Sequence, residues 1–236
     1  MIDEKYLSEL KTSGNWMIRN SKDGLGYGDF QWAPVGEWTV CPKWTAEETC
    51  DSGGLFGQGP GGYGHMGGGT RFELCETDAI RITIDGEKIK TPRAKIIAVN
   101  QEAFDALMFL CDGKFDGTLV VPSGVNIDAP VLTKADSVNV REGATFTAPA
   151  LTSVTGSVNV YENATFTAPV LTKAGYVYFY ENATFTAPAL TSVNGSVNVR
   201  EGATFTAPAL TSVNGYVNVY ENATFTAPAL ASANRR

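Results

Sequence analysis

The side chains best suited to chemistry in this chain are four cysteines and one histidine: Cys41, Cys50, His65, Cys75 and Cys111. A thiol beside a histidine could form a nucleophile and base pair, and the same residue types could bind zinc. Zinc ligands usually arrive in close pairs, about two to four residues apart. These residues lie farther apart and contain no Cys-x-x-Cys motif. The spacing therefore favours reduced structural thiols, with no metal site and no cofactor.

A second group of candidates consists of neighbouring carboxylates, Glu47 with Glu48 and Glu73 with Glu76. Paired carboxylates can perform acid and base catalysis when their surroundings separate their pKa values. Nothing around either pair indicates such an environment, so we interpret both as solvated charges. The sequence therefore predicts a protein without catalytic residues.

The segment 53–69 contains ten glycines among seventeen residues, which is typical of a surface loop. An alternative interpretation is a lid or a backbone cradle for a small ligand, formed by Gly54, Leu55, Phe56 and His65. The segment has neither a Walker A motif nor a dinucleotide fingerprint, since it lacks Gly-Lys-[Ser/Thr] and does not join a strand to a helix. A ligand binder or enzyme that uses this loop is one alternative function.

Residues 1–117 alternate between helical and strand periodicities, which predicts an α+β domain. A short helix is expected at 3–11, and strands at 71–76, 79–84 and 95–99. The strongest helical pattern covers 101–111, with Asn100 as its predicted cap. We expect this helix to pack on the start of the repeats that follow.

Residues 118–236 repeat one pattern, Ala-Thr-Phe-Thr-Ala-Pro-[Ala/Val]-Leu followed by Val-x-[Val/Phe]-[Arg/Tyr]-Glu-[Gly/Asn]. Successive copies of its phenylalanine are 20, 19, 20 and 20 residues apart, and Ile127 occupies the same place in a degenerate first copy. A period this short cannot hold two helices, and valine and threonine favour strands. The pattern predicts a β-solenoid of about six coils and resembles the short leucine-rich repeats of bacterial proteins. The phenylalanines are Phe146, Phe166, Phe185, Phe205 and Phe225.

Side chains alternate across a strand, so the residues between the inward valines point outward. Tyrosines concentrate at these outward positions, around a copy that is one residue short, and tyrosine is enriched in protein interfaces. We predict that this face binds a protein partner. The candidate residues are Tyr161, Tyr176, Tyr178, Tyr180, Tyr216, Tyr220, Asn159 and Asn198.

Two other outward features have alternative interpretations. A column of glutamates that includes Glu142 and Glu181 is expected to face water at a corner of the solenoid and to resist edge-on aggregation. Threonines flank each repeated phenylalanine, as in Thr145 and Thr147, and such a flat array resembles ice-binding solenoids. A structural or ice-binding solenoid is therefore a further alternative function.

Residues 38–99 resemble an uncharacterised small domain of phage and bacterial proteins. The resemblance rests on Trp38-Thr39-Val40-Cys41-Pro42, on Cys50 followed by Gly53-Gly54-Leu55, on Phe72-Glu73, and on the segment 86–90. In that family a histidine often stands where this chain has Phe56. The resemblance implies an α+β domain without a known activity, and it suggests a phage or prophage accessory protein.

The net charge of −7 is concentrated in residues 1–117, which contain 18 acidic and 12 basic side chains. An acidic chain argues against nucleic-acid binding, which depends on many Lys and Arg contacts to phosphate. The first residues do not read as a signal peptide, and no run approaches the roughly 18 apolar residues of a membrane span. We therefore expect a cytoplasmic location and no membrane contact.

The last copy is followed only by a short segment, 229–236, without a polar capping helix. Open strand edges favour pairing with another chain, so we expect a homodimer through this end. Together these features predict a non-enzymatic phage-type protein that binds and inhibits a host protein, such as a defence component, through its solenoid.

Overall fold

The computed structural model describes residues 2–26, 30–50, 53–59, 68–86 and 88–235. The chain divides into two compact units, Met1–Asp112 and Gly113–Arg236. The second unit starts slightly before the predicted boundary at 117, because Lys114 already pairs with Lys134 in the first solenoid strands. No helix among the described residues is long and apolar enough to cross a membrane.

The described part of the first unit is an antiparallel sheet with two helices. Its elements are α1 (Glu4–Ser13), β1 (Trp16–Ser21), β2 (Trp38–Val40), β3 (Leu55–Gln58), β4 (Arg71–Thr77), β5 (Ile82–Ile84), β6 (Lys88–Thr91), β7 (Arg93–Val99) and α2 (Asn100–Leu110). The strands lie in the order β2-β7-β4-β1-β3-β6-β5. Helix α2 packs on β4 and β7, where the ring centroids of Phe72 and Phe104 are 6.1 Å apart.

The two helices begin differently. In α1 the Asp3 side chain accepts a hydrogen bond from the Lys5 N–H, and Gly14 ends the helix at a positive φ of 63°. The prediction that Asn100 caps α2 is wrong. Asn100 is the first residue of that helix, and its side-chain oxygen accepts the Phe72 N–H at 3.1 Å. Its amide therefore ties α2 to β4.

Strand β3 lies inside the segment that was predicted to be a glycine-rich loop. It pairs with β6 along Leu55–Gln58, and both Leu55 and Gln58 are buried. A Cβ on Gly57 would come within 2.8 Å of Met17 and of the Ile18 carbonyl oxygen, so glycine permits close strand packing here. Residues 60–67 of the predicted loop, including His65, lie outside the described residues.

The second unit is a β-solenoid of about six coils, as predicted. Each coil contributes to two parallel sheets, which we call the long-strand sheet and the short-strand sheet. The long-strand sheet comprises β8 (Lys114–Val121), β10 (Lys134–Val140), β12 (Ser153–Val160), β14 (Lys173–Phe179), β16 (Ser192–Val193), β17 (Val197–Val199), β19 (Ser212–Val219) and β21 (Ser232–Arg235). The short-strand sheet comprises β9 (Asn126–Asp128), β11 (Thr145–Thr147), β13 (Thr165–Thr167), β15 (Thr184–Thr186), β18 (Thr204–Thr206) and β20 (Thr224–Thr226).

Stacking in register builds the core from columns of identical positions. Ile127 pairs with Phe146, and the following phenylalanines continue the column without a shift. Their side chains are fully buried through Phe205. Neighbouring ring centroids are 4.9–5.6 Å apart along the stack. The hydrophobic period seen in the sequence is thus the stacking repeat of the solenoid.

Not all coils have the same length. Counted from Lys114, the six coils are 114–133, 134–152, 153–172, 173–191, 192–211 and 212–231, so the second and fourth have 19 residues. The register shifts at one place in the long-strand sheet, between Ala135 and Val138 and between Val154 and Ser157. A bulge at this position absorbs the missing residue. Side chains beyond it therefore stay aligned from coil to coil.

One turn position explains why asparagine and glycine alternate in the repeat. The backbone there has φ between 56° and 70° in every coil, a left-handed conformation that glycine and asparagine adopt most readily. The Asn-Ala-Thr triplets of the repeat arise from this turn and from the outward threonine that follows. The residues at this position are Gly124, Gly143, Asn163, Asn182, Gly202 and Asn222.

Candidate functional site

The outward side of the long-strand sheet carries three columns of side chains, which we call the tyrosine face. All eight residues predicted to bind a partner lie in these columns. Over coils 2–6 the columns are Ser137, Ser157, Tyr176, Ser196 and Tyr216; Asn139, Asn159, Tyr178, Asn198 and Asn218; and Arg141, Tyr161, Tyr180, Arg200 and Tyr220.

The third column is a stack of guanidinium groups and phenol rings. The Arg141 guanidinium lies 4.4 Å from the centre of the Tyr161 ring, and Arg200 lies 4.5 Å from the Tyr220 ring. Tyr161 and Tyr180 stack with centroids 4.6 Å apart and planes 4° from parallel. Because arginine stacks favourably on aromatic faces, the column holds its side chains in fixed positions.

Burial raises the pKa of the Tyr180 hydroxyl above its ordinary value, and the neighbouring Tyr161 and Glu162 raise it further. A tyrosine hydroxyl is protonated at neutral pH even at its ordinary pKa, and the raised pKa extends this form to higher pH. In that form it can both donate and accept a hydrogen bond.

The fourth coil differs from the others because it presents tyrosine in all three columns at once. Tyr176 is 49% exposed, and its ring lies nearly parallel to that of Tyr178, with centroids 6.4 Å apart. A Cβ on Gly195 of the next coil would meet the Tyr176 ring at 2.2 Å. The Tyr176 ring therefore lies over Gly195, in space that a side chain at that position would fill.

The second column is a ladder of asparagine amides that is interrupted at the fourth coil. The Asn159 amide donates to Asn139 Oδ1 at 2.7 Å, and the Asn218 amide donates to Asn198 Oδ1 at 2.7 Å. Tyr178 stands between these two pairs, opposite Asn159 on one side and Asn198 on the other. The ladder is thus split into two short segments by one aromatic residue.

The glutamate column borders the tyrosine face at the turn where the long strands end. Its backbone carbonyls accept the inter-coil hydrogen bonds of the turn, as from Gly143 N–H to Glu162 O at 2.9 Å. The carboxylates are exposed or half-buried. Among the described residues, Ser123 Oγ donates to Glu142 Oε2 at 2.8 Å. The column therefore places negative charge along one margin of the face.

The short-strand sheet presents a different surface, which we call the threonine grid. It consists of two outward columns over coils 2–6, and the phenylalanine between them points inward. In coil 1 Asn126 and Asp128 take the two positions. The grid residues are Thr145, Thr165, Thr184, Thr204 and Thr224 in one column, and Thr147, Thr167, Thr186, Thr206 and Thr226 in the other.

Three of the four residues predicted to form a ligand loop in the first unit take part in the packing of the sheet. Leu55 is 2% exposed and belongs to the core with Met17 and Trp32. Phe56 lies on β3, and its ring is 6.0 Å from the Lys90 Nζ. A Cβ on Gly54 would meet the Lys90 side chain at 2.6 Å. His65 lies outside the described residues, so the structure does not bring these four positions together.

Lys90 is fully buried and holds the segment before β3 on the sheet. Its ammonium group donates to the Glu47 carbonyl oxygen at 2.7 Å and to Thr45 Oγ1 at 3.3 Å. The Trp44 ring centre lies 5.5 Å away. Glu47, predicted as solvated charge, is exposed, and its contribution here is a backbone carbonyl.

A buried ion cluster in the first unit was not anticipated from the sequence. Glu73 is fully buried, with one carboxylate oxygen 2.9 Å from Arg19 Nε and the other 2.5 Å from Arg71 Nη2. Ser21 Oγ donates to the same carboxylate at 2.5 Å, and the Arg19 guanidinium lies 3.9 Å from the Trp32 ring centre. Glu73 and Arg19 face each other across β1 and β4, a pairing that local sequence spacing does not show.

The cysteines occupy three kinds of surroundings. Cys50 is exposed, Cys41 and Cys111 are half-buried, and Cys75 is fully buried. Burial raises the pKa of the Cys75 thiol well above its ordinary value, which keeps the thiol protonated and unreactive. Among the described residues no three His, Cys, Asp or Glu side chains converge in the way a metal ion requires.

Arg141 and Arg200 lie in the tyrosine face but were not among the residues predicted to bind a partner. The sequence contained an indication of both residues, because each copy of the repeat has Arg or Tyr at the same position. Only the stacking of one coil on the next shows that the two residue types form a single column.

Comparisons with protein-family models, with curated proteins and with solved structures each find no match to this chain. The resemblance of residues 38–99 to a phage and bacterial domain therefore rests on its own residues. The structure itself shows the fold, which is an α+β unit followed by a β-solenoid of about six coils.

Proposed function

We propose that this chain is a non-enzymatic binding protein that recognises a protein partner through the tyrosine face. The observation that carries the proposal is the fourth coil, where Tyr176, Tyr178 and Tyr180 lie side by side on a rigid sheet. Tyrosine offers a large contact area and a polar hydroxyl at a small cost in side-chain entropy. A stacked core beneath the face means that little ordering is needed on binding.

The proposal includes a biological setting that only the resemblance of residues 38–99 supports. In that setting the chain is a phage or prophage accessory protein that acts in the host cytoplasm. It binds a host protein, such as a defence component, and blocks it by covering a surface of that protein. The mixed charge of the tyrosine face, with arginine in one column and glutamate at its margin, favours a protein over a nucleic acid as partner.

Replacing Tyr178 and Tyr180 together by alanine should abolish capture of the host protein by the immobilised chain, while the circular dichroism spectrum stays unchanged. Both side chains point away from the core, so the fold does not depend on them. Val170→Ala is a matched control, because Val170 is 41% exposed in a turn where most copies have alanine. Undiminished capture by the double variant would contradict the proposal. Hydrogen exchange should locate partner protection in β14 and not in β3.

A second candidate function is favoured by the threonine grid. Two threonine columns repeat at about 4.8 Å along a parallel sheet in unbroken register, and a column of buried phenylalanines lies beneath them. In the described part of the chain no hydroxyl of the grid is bonded to another protein group. Such an array can order water in a lattice, as an ice-binding surface requires.

Thermal hysteresis of the wild-type chain would reveal ice binding directly. Thr184→Tyr should then remove the effect, since the large ring breaks the flat array at its centre, and Val170→Ala should retain it. Absence of hysteresis in the wild type would exclude this function and leave the tyrosine face unaffected.

Self-association through the last coil belongs to the same proposal. Phe225 and Leu230 are partly exposed, whereas the equivalent residues of the preceding coils, such as Phe205 and Leu210, are fully buried. A second copy that docks on this coil would bury them and pair the strand edges. Light scattering at micromolar concentration should give the mass of a dimer, and a monomer mass would contradict this.

A further inference from the structure

The interruption of the asparagine ladder leaves hydrogen-bonding groups at a defined place on the tyrosine face. In an unbroken ladder each amide donates to one neighbour and accepts from the other. Asn159 donates to Asn139, and Asn198 accepts from Asn218, so both use one of their two amide ends. Tyr178 stands where the intervening amide would be and has no amide to offer. Within the described residues, Asn159 Oδ1 therefore lacks a donor and Asn198 Nδ2 lacks an acceptor.

The arrangement is kept when the amides of both pairs are turned together. Rotating the amides of both pairs by half a turn exchanges the roles of Asn159 and Asn198. One hydrogen-bond donor and one acceptor still face the break. Asn159, Tyr178 and Asn198 are all partly exposed, so a ligand can reach the three side chains.

The spacing of the two amides fits an extended main chain. They are two coils apart, which is about 9.6 Å at about 4.8 Å per strand. Three residues of an extended chain span about 10 Å at roughly 3.4 Å per residue. A main chain carries N–H donors and C=O acceptors without charge, and the Asn159 and Asn198 amides between which it would lie are uncharged as well. The flanking rings of Tyr176 and Tyr180 supply apolar walls.

We propose that the break in the asparagine ladder recognises the main chain of an extended peptide segment of the partner protein. This inference rests on the proposed function, because it names the part of the partner that the tyrosine face contacts. The segment lies along the solenoid axis over Tyr178. One of its N–H groups donates to Asn159 Oδ1, and one of its carbonyl oxygens accepts from Asn198 Nδ2.

The sharpest test is Tyr178→Asn, because it completes the ladder that Tyr178 interrupts. The new amide would bond to both Asn159 and Asn198, so the solenoid should unfold at the same or a higher temperature than the wild type. Peptide binding should be lost at the same time, since both free amide ends and the central ring are gone. A variant that gains order and loses binding cannot be explained by misfolding.

The probe is a library of random twelve-residue peptides displayed on filamentous phage and selected on the immobilised full-length chain. Synthetic copies of the selected peptides should bind Tyr178→Asn at least about tenfold more weakly than the wild type. Asn159→Leu and Asn198→Leu each remove one hydrogen bond and should each weaken binding about fivefold. Asn194→Leu is the matched control, because Asn194 is an exposed asparagine of coil 5 outside the ladder, and binding should stay unchanged.

Peptide chemistry separates main-chain recognition from side-chain recognition. Methylating the peptide nitrogens one at a time should identify one N–H whose loss weakens binding to the wild type about fivefold, as Asn159→Leu does. Removal of that methyl sensitivity in Asn159→Leu would connect the N–H to Asn159. Peptides that bind Tyr178→Asn as tightly as the wild type, or a library that yields no binder, would overturn the inference.

The same variants distinguish this inference from the proposed function. If Tyr178→Asn still captures the host protein while Tyr178→Ala with Tyr180→Ala does not, the face binds a partner but not through the ladder break. If both variants capture the host protein like the wild type, the proposed function fails together with the inference.

Discussion

Replacing Phe185 by alanine is expected to lower the free energy of unfolding of the solenoid by about 3–5 kcal/mol. Phe185 is fully buried, and its ring centroid lies 5.5 Å from Phe166, 5.1 Å from Phe179 and 5.6 Å from Phe205. Alanine would leave a cavity between three aromatic rings that belong to three successive coils. Because the stacked strands hold those rings in place, the cavity cannot close by local relaxation.

The position of Phe185 in the stack adds to the effect. Repeat proteins are stabilised by contacts between neighbouring repeats, so a defect in a central coil weakens two interfaces. Phe225→Ala is the matched control, because it makes the same change in the last coil. There the ring is partly exposed and, among the described residues, stacks only on Phe205. We expect that variant to cost on the order of 1 kcal/mol, close to the loss of the partial burial itself.

Urea denaturation followed by far-ultraviolet circular dichroism would measure both variants. All four tryptophans lie in the first unit, so their fluorescence monitors that unit separately within the same sample. Equal losses for Phe185→Ala and Phe225→Ala would show that the aromatic column does not stabilise the solenoid through stacking between coils.

The solenoid was predictable because the same pattern of inward and outward residues recurs in the sequence of every coil. A residue such as Phe146 is inward in one coil for the same reason that Phe166 is inward in the next, so one period reveals the whole core. The outward positions followed from alternation along each strand. Even the short fourth coil was visible in the sequence, although only the structure shows that a bulge near Gly175 absorbs the missing residue.

The first unit was less predictable because its decisive contacts are between distant residues. Gly57 looks like part of a flexible run in the sequence, yet it is required where β3 passes close to Met17. Lys90 and Glu73 look like surface charges, yet each is fully buried. Their partners come from other strands or loops, and the periodicity of hydrophobic residues along the sequence does not show such pairings.

The tyrosine face lies between these two cases. Alternation along the strands predicted which side chains point outward, and the repeat placed them in columns. It did not show that Arg141 stacks on Tyr161, nor that Asn159 bonds to Asn139. Those contacts depend on the orientation of side chains in adjacent coils. They decide which polar groups of the face remain free for a partner.

Replacing Glu73 by glutamine is expected to lower the free energy of unfolding of the first unit by about 3–5 kcal/mol. The carboxylate neutralises Arg19 in a place that water does not reach, since Arg19 is 6% exposed and Glu73 is fully buried. Burial lowers the pKa of Arg19, and the charge of Glu73 opposes that shift. Glutamine keeps the shape but leaves the guanidinium without a counter-charge, and stacking on Trp32 does not replace one.

Two comparisons separate the buried charge from a general loss of packing. Asp78→Asn removes the carboxylate of the more exposed Asp78–Arg93 pair and should cost less than about 1 kcal/mol. Combining Glu73→Leu with Arg19→Met removes the two most deeply buried charges. Only Arg71, which is 24% exposed, is left without its partner, so this double variant should be less destabilising than Glu73→Gln alone. Tryptophan fluorescence, to which Trp32 beside Arg19 contributes, would monitor unfolding in urea at low and at high salt. A loss for Glu73→Gln that disappears in high salt would contradict the buried ion pair, since salt screens only charges that solvent can reach.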